Sequence, residues 1–351
     1  MQHLGEIISL IVALSWTATA IFADIASHRL GALPLNLIRM GLSIVFLSVL
    51  LLIVTGSPVP TYADGATYLW LALSGLVGYV FGDWCLFSCY VHIGSKFGQI
   101  LMTLAPPVAG ITGWLLLGEK LSWHSWLAMV VTLTGIGISI MARGGESHKL
   151  KIKLPLKGVL LGIGAGIGQG VGLVLSKIGL EKYAAAIPEG ASRGVTAMMP
   201  FAGTLIRAVT GFIGFSILLS ILGRTSEVKT AFKDGKGMKF ALLTTFFGPF
   251  LGVSLSLMAV QYAKAGIAST LMALTPVLII VPYSIINKQK ISPKEILGTI
   301  ITVTGAALFF LLEDSYESGR QCRKVLPAYA CIVALSGTAF RSKQLEILLY
   351  L

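Results

Sequence analysis

The chain repeats itself. Leu101-Met102-Thr103-Leu104-Ala105-Pro106, Lys120-Leu121-Ser122 and Thr132-Leu133-Thr134-Gly135 return as Leu271-Met272-Ala273-Leu274-Thr275-Pro276, Lys290-Ile291-Ser292 and Thr302-Val303-Thr304-Gly305, always 170 positions later. An apolar chain matches itself at scattered places by chance. A match that keeps register through a proline, a loop lysine and a Thr-x-Thr-Gly is duplication, and it restricts the fold to one that can be built twice. Gly78 and Gly82 match Gly248 and Gly252 at the same spacing. Leu37-Ile38-Arg39 matches Leu205-Ile206-Arg207 at 168. Gly5, Ser9, Ala13 and Thr17 match Gly158, Gly162, Gly166 and Gly170 at 153. The spacing changes only between apolar blocks, so insertions sit in loops. The largest, Gly179–Met199, reads as an amphipathic surface helix.

The medium is lipid. Of 351 residues, 55% are hydrophobic and 12% charged, about half the roughly 25% charged share of a soluble domain. Spans need about 20 apolar residues each. The candidates are Ile7–Ala23, Leu33–Val54, Tyr68–Val91, Phe97–Leu117 and Trp123–Met141, then Leu156–Lys177, Pro200–Leu222, Phe240–Tyr262, Ala265–Ile286 and Ile296–Leu312. The N-terminal apolar run lacks a basic leader and is too long for a signal segment, so it reads as a span that stays. The expected fold is an all-α polytopic membrane protein of ten transmembrane helices, in two five-helix repeats. Residues 5–141 form the first repeat, 142–155 a basic linker, 156–312 the second repeat, and 313–351 a C-terminal tail outside the repeat. Within the tail, Val325–Phe340 is apolar but short for a span; a re-entrant segment, an interfacial segment and a tail all fit.

Five is odd, so the two repeats are expected to cross the bilayer in opposite senses. Inverted repeats of this kind recur in secondary transporters, whose sites lie near the midplane between the halves. Positive charge gathers after the fifth span (Arg143, Lys149, Lys151, Lys153, Lys157) and after the seventh (Arg224, Lys229, Lys233, Lys236, Lys239). The positive-inside rule places those links in the cytoplasm, whereas the basic tail (Arg320, Arg323, Lys324) points the other way.

This pattern resembles the drug/metabolite transporter (DMT) superfamily and, more narrowly, the EamA-type transporters. The carriers of the resemblance are the paired Leu-Ile-Arg openings, the proline-bearing fourth helices and the Gly118-Glu119-Lys120-Leu121 turn. The second repeat departs at that turn, with Lys288-Gln289-Lys290-Ile291. The resemblance covers about residues 5–312 and implies transport of a small metabolite or drug, with both chain ends cytoplasmic.

Several residues are candidates for a solute cavity. Trp16 and Gln169 occupy matching mid-span positions, an aromatic and an amide suited to an amphipathic solute. Thr19 brings a hydroxyl to the same helix as Trp16, and Tyr262 closes the eighth candidate span. Asp83 is the acid well inside a span, where an ionised carboxylate needs a partner or a proton. It is therefore the candidate for ion coupling or for pairing with a cationic solute. Its match, Val253, makes it an asymmetric addition. Arg39 and Arg207 are equivalent, and snorkelling to headgroups is expected ahead of anion binding. Asp24 and Lys177 read as interface markers. Pro106 and Pro276 remove a backbone donor and break their helices. Gly158, Gly162, Gly166 and Gly170 form one helix-packing face, and Gly164, Gly168 and Gly172 a neighbouring one.

Some function classes are excluded or disfavoured. There is no phosphate-binding glycine loop and no metallohydrolase or serine-hydrolase motif, so an ATP-driven pump and such enzymes are not indicated. Cys85, Cys89 and His92 share a helical face, but their repeat matches are apolar, so packing is expected and metal is not. No cofactor and no nucleic-acid partner is expected despite the net charge of +12. The expected partners are the bilayer and a small-molecule solute, with a homodimer as one assembly open to it. The expected location is the plasma (inner) membrane, and the expected direction export or exchange. A scaffold or receptor without transport, and an enzyme acting on a lipid-linked substrate, are the alternatives.

Overall fold

A computed structural model describes residues 3–142, 155–278 and 293–308. The basic linker, the end of the ninth candidate span and the C-terminal tail lie outside the described residues, as do the side chains of Asp24 and Pro276. The described residues are helical throughout their ordered elements. The helices are α1 (Leu4–Leu30), α2 (Ala32–Thr55), α3 (Gly65–Gly75), α4 (Trp84–Met102), α5 (Ala105–Leu117) and α6 (Trp123–Ala142). The second repeat supplies α7 (Leu156–Ala186), α8 (Arg193–Ile221), α9 (Thr225–Ala231), α10 (Gly235–Thr245), α11 (Ser254–Tyr262), α12 (Ala265–Met272) and α13 (Thr275–Leu278). A last helix, α14, covers 293–308. Helices satisfy every interior backbone group within the segment, as hydrocarbon requires.

Among the described residues, six stretches are long and apolar enough to cross a membrane: Leu4–Leu30, Ala32–Thr55, Gly65–Leu86, Leu156–Ala186, Arg193–Ile221 and Gly235–Tyr262. Ala105–Leu117 is a shorter apolar helix. This is the build of an integral, multi-pass membrane protein. α4 is not straight. Both Cys89 and Leu101 come within about 3 Å of where a Cβ on Gly162 would stand, yet twelve residues of straight helix span about 18 Å.

Contacts between the repeats come in matched pairs. α1 packs along α10 and α11, and α7 along α3 and α4. α2 packs on α8, and α5 on α12. The last helices cross at glycines: a Cβ on Gly135 would stand 2.5 Å from Thr302 Oγ1, and one on Gly305 2.5 Å from Thr132 Oγ1. Each contact has its partner one repeat away, so each half is built around the other. The apolar core is spread accordingly. One cluster joins Leu47 and Leu51 to Leu180, Tyr183 and Leu205; another joins Ala13 and Met129 to Ile267 and Leu271.

The insertion after the sixth span makes no separate surface helix. α7 runs through Ala186 and α8 starts at Arg193, leaving a short link. The physical reason is burial. Leu180 and Tyr183 are enclosed in the first of those clusters, and the Tyr183 hydroxyl donates to Thr61 O at 2.8 Å. Those residues gain more by extending the helix than by lying on a bilayer surface.

Candidate functional site

Two features break the regular helices where the repeats meet. Leu76–Asp83, between α3 and α4, and Phe246–Val253, between α10 and α11, are π-helical. They are 170 residues apart at both ends. The π-helix is rare, is found mostly as short bulges, and concentrates at functional sites. Glycines at the interface let the opposite repeat approach. Gly78 and Gly82 lie against Arg207 and Gln169, and Gly248 and Gly252 against Arg39 and Trp16. The paired residues are themselves repeat equivalents. Side chains also reach the π-helical carbonyls: Gln169 Nε2 donates to Gly78 O at 3.0 Å, and Ser15 Oγ donates to Phe247 O at 2.6 Å.

The second break is in the fourth helix of each repeat. α4 ends at Met102 and α5 starts at Ala105; α12 ends at Met272 and α13 starts at Thr275. Pro106 stands in the first turn of α5, where a missing N–H costs nothing. Pro106 and Ala105 line a cavity of about 300 Å³ between the repeats. The first repeat contributes Trp16, Thr19, Tyr79, Asp83 and Thr103, and the second Gln169, Leu173, Arg207, Ser269, Met272 and Thr275.

Trp16, Thr19, Asp83 and Gln169 are therefore together. Trp16 faces the cavity rather than lipid, because Gly252 leaves its indole room. Asp83 Oδ1 accepts from Gln169 Nε2 at 2.8 Å, so the asymmetric acid and the mid-span amide hold one another across the repeat boundary. Tyr262 lies elsewhere. It ends α11 just before the capping residue Ala263 and is 60% exposed, about 120° around the helix from cavity-lining Ser256. Arg207 does not snorkel. Only 4% exposed, it lies with Cζ 4.8 Å over the Tyr79 ring; Gly75 and Gly78 open the space it fills. Arg39 Nη1 donates to Asn36 Oδ1 at 3.0 Å.

Among the cavity residues absent from the sequence-derived site are Tyr79, which the sequence does not single out, and Arg207, which is expected from sequence to snorkel. The signal for Tyr79 was its position one helical turn before Asp83. Ser9 and Thr17 donate to carbonyls four residues back in α1.

The glycine faces of α7 have distinct neighbours. Gly158, Gly162, Gly166 and Gly170 face Ile93, Leu101, Leu104 and Ala105–Val108. Gly164, Gly168 and Gly172 face Cys85, Gly82 and Gly78. Cys85 and Cys89 are buried against this helix. Lys177 is not a bare interface marker. It forms an ion pair with Glu119 and donates to Ala263 O at 2.9 Å, while Glu119 Oε2 accepts from Ala265 N at 2.9 Å. Gly118 makes this possible: it caps α5 at φ 68°, a left-handed conformation that glycine adopts without strain. The Gly-Glu turn thus clamps α7 to the link between α11 and α12.

A multi-pass bundle with a largely apolar cavity, carrying a few polar groups, at the seam of two repeats is the build expected of a membrane transporter of the DMT type. The model of the EamA-like transporter family matches residues 3–141 and 156–311, and the chain belongs to that family. No curated protein matches the sequence. Among solved structures, one crystal structure of a protein is 16% identical with a TM-score of 0.68, covering 90% of this chain and 100% of that one. At that identity it supports the fold.

Proposed function

We propose that the protein is a secondary transporter of a small organic solute, an exporter or exchanger in the plasma membrane, working by alternating access. In this reading its ten spans form two inverted five-helix repeats, 5–141 and 156–312, and the cavity between them is the solute site. The observation that carries the reading is the matched exchange of contacts around that cavity. Arg39 meets Gly248 as Arg207 meets Gly78, and Trp16 meets Gly252 as Gln169 meets Gly82. Two halves related in this way have two packings of similar energy, one the image of the other. Swapping their conformations moves the opening of the cavity from one face of the membrane to the other. The broken fourth helices and the π-helical segments give flexible points close to the solute.

Trp16 and Gln169 are the proposed solute contacts, with Thr19 at the wall. Asp83 is the proposed coupling group, released from Gln169 when it takes a proton. A homodimer is the proposed assembly. The test is counterflow: liposomes holding the purified chain and an unlabelled metabolite should accumulate the same labelled metabolite from outside. A broad panel that gives no accumulation in either orientation contradicts transport.

A further inference from the structure

Resting on that transporter reading, we infer that the solute is a small organic monoanion whose acid head is held by Arg207 and the Tyr79 hydroxyl. Both residues line the cavity. Arg207 is 4% exposed and Tyr79 6%. Arg207 Nε and Tyr79 Oη are buried and have no hydrogen-bond partner among the described residues. Native proteins rarely leave such groups unsatisfied, and an unpaired buried charge carries a desolvation penalty. The two groups sit together, guanidinium over ring, and both are donors. What they lack is an acceptor, and an oxyanion supplies several.

The charges around the cavity favour the same ligand. Arg39, the repeat equivalent of Arg207, is a second guanidinium with a buried, unpartnered Nε. It lies beside Gly248 and cavity-lining Thr19. Asp83 is the acid facing this group, and no ion pair within 4 Å joins it to either arginine among the described residues. Two guanidinia against one carboxylate leave one positive charge over. A monoanion neutralises it. A zwitterion leaves it in place, a cation worsens it, and a phosphomonoester, with a charge of about −1.5 to −2, overshoots. The remaining wall, with Trp16, Leu173 and Met272, is apolar, which suits an organic body behind the acid head.

The test uses probes of one shape and different charge on the full chain in detergent. These are benzoate and benzenesulfonate, their neutral relatives benzamide and benzenesulfonamide, cationic benzylamine and zwitterionic phenylglycine. The two acids should raise the apparent melting temperature and the other four should not. Tyr79→Phe keeps the ring and loses the donor, and should weaken acid binding about tenfold, the worth of one hydrogen bond. Arg207→Gln should abolish it. Equal or stronger stabilisation by a neutral, cationic or zwitterionic probe overturns the inference. So does the absence of any shift with the acids, or full acid binding by a folded Arg207→Gln chain. Counterflow of labelled benzenesulfonate separates the two levels. Charge-selective binding without counterflow leaves the anion site standing and contradicts transport. Counterflow of benzenesulfonamide without an effect of either acid leaves transport standing and contradicts the anion.

Discussion

The crossing of α7 over the first π-helical segment is a close backbone-to-backbone contact behind the site, and Gly172→Ala probes it. A Cβ at Gly172 would stand 2.8 Å from Gly78 Cα and 3.0 Å from Gly78 N. These are backbone atoms that cannot rotate aside. Reaching ordinary contact at 3.4 Å requires the helices to part by about 0.6 Å. Overpacking of this kind costs about 1–3 kcal/mol. Alanine also favours helix over glycine by about 1 kcal/mol, so the comparison is with Gly137→Ala, where a Cβ meets nothing within 4 Å. The difference between the two variants isolates the packing cost. Gly172 lies one turn from Gln169, whose 2.8 Å bond to Asp83 stretches to about 3.4 Å if the helices separate, beyond a good hydrogen bond. Unfolding in mixed micelles should therefore rank Gly172→Ala below Gly137→Ala by about 1–3 kcal/mol, with lower counterflow. Equal or greater stability for Gly172→Ala would refute the crossing as described.

Other expectations follow from single contacts. Glu119→Gln should destabilise the protein by about 2–3 kcal/mol, a partly buried pair costing less than the 3–5 kcal/mol of a fully buried one; adding Lys177→Met should restore much of the loss in the same unfolding assay. Ser15→Ala leaves Phe247 O without its donor and should cost about 1 kcal/mol, read as a lower melting temperature. Asp83→Asn should abolish pH-driven uptake and keep exchange, since Arg39, Arg207, Tyr79 and Gln169 surround it unchanged; unaltered driven uptake removes the coupling role. Outside the spans, the Thr67 hydroxyl and then its N–H hold the Asp64 carboxylate below the ordinary range. Its contribution is therefore full above that range and lost as pH falls through the lowered value. Asp64→Asn should flatten the acid limb of a stability profile, and an unchanged limb counts against the cap.

Much of this arrangement was legible from spacing. Repeat arithmetic paired Trp16 with Gln169 and Arg39 with Arg207, and a duplicated fold places equivalent residues in equivalent surroundings. It also marked the prolines, since 106 and 276 fall at the same step of the repeat. Direction was not legible. Nothing in Leu-Ile-Arg says whether a guanidinium turns to lipid headgroups or inward; the answer depends on Gly75, Gly78 and Tyr79, which belong to the other repeat. The π-helical segments were hidden for a similar reason. Their widened turns are held by Gln169 and Ser15 from outside, and local propensity carries no trace of that. Tyr262 was misplaced because helical period determines a face only once the helix end and its neighbours are known. The Gly118 turn could be read as a family mark, but the clamp between Glu119 and Lys177 joins residues 58 positions apart.

The central claim is that one cavity, between the repeats, opens alternately to the two sides of the membrane. Ser269→Cys places a thiol on its wall, with Cys322 and Cys331 replaced by serine and Cys85 and Cys89 left buried. Membrane-impermeant maleimide is added to one side of vesicles holding the chain in a single orientation, then in separate samples to the other. The account predicts labelling from either side, with bound solute protecting the thiol in both cases. Labelling from one side alone, or from neither, would contradict it.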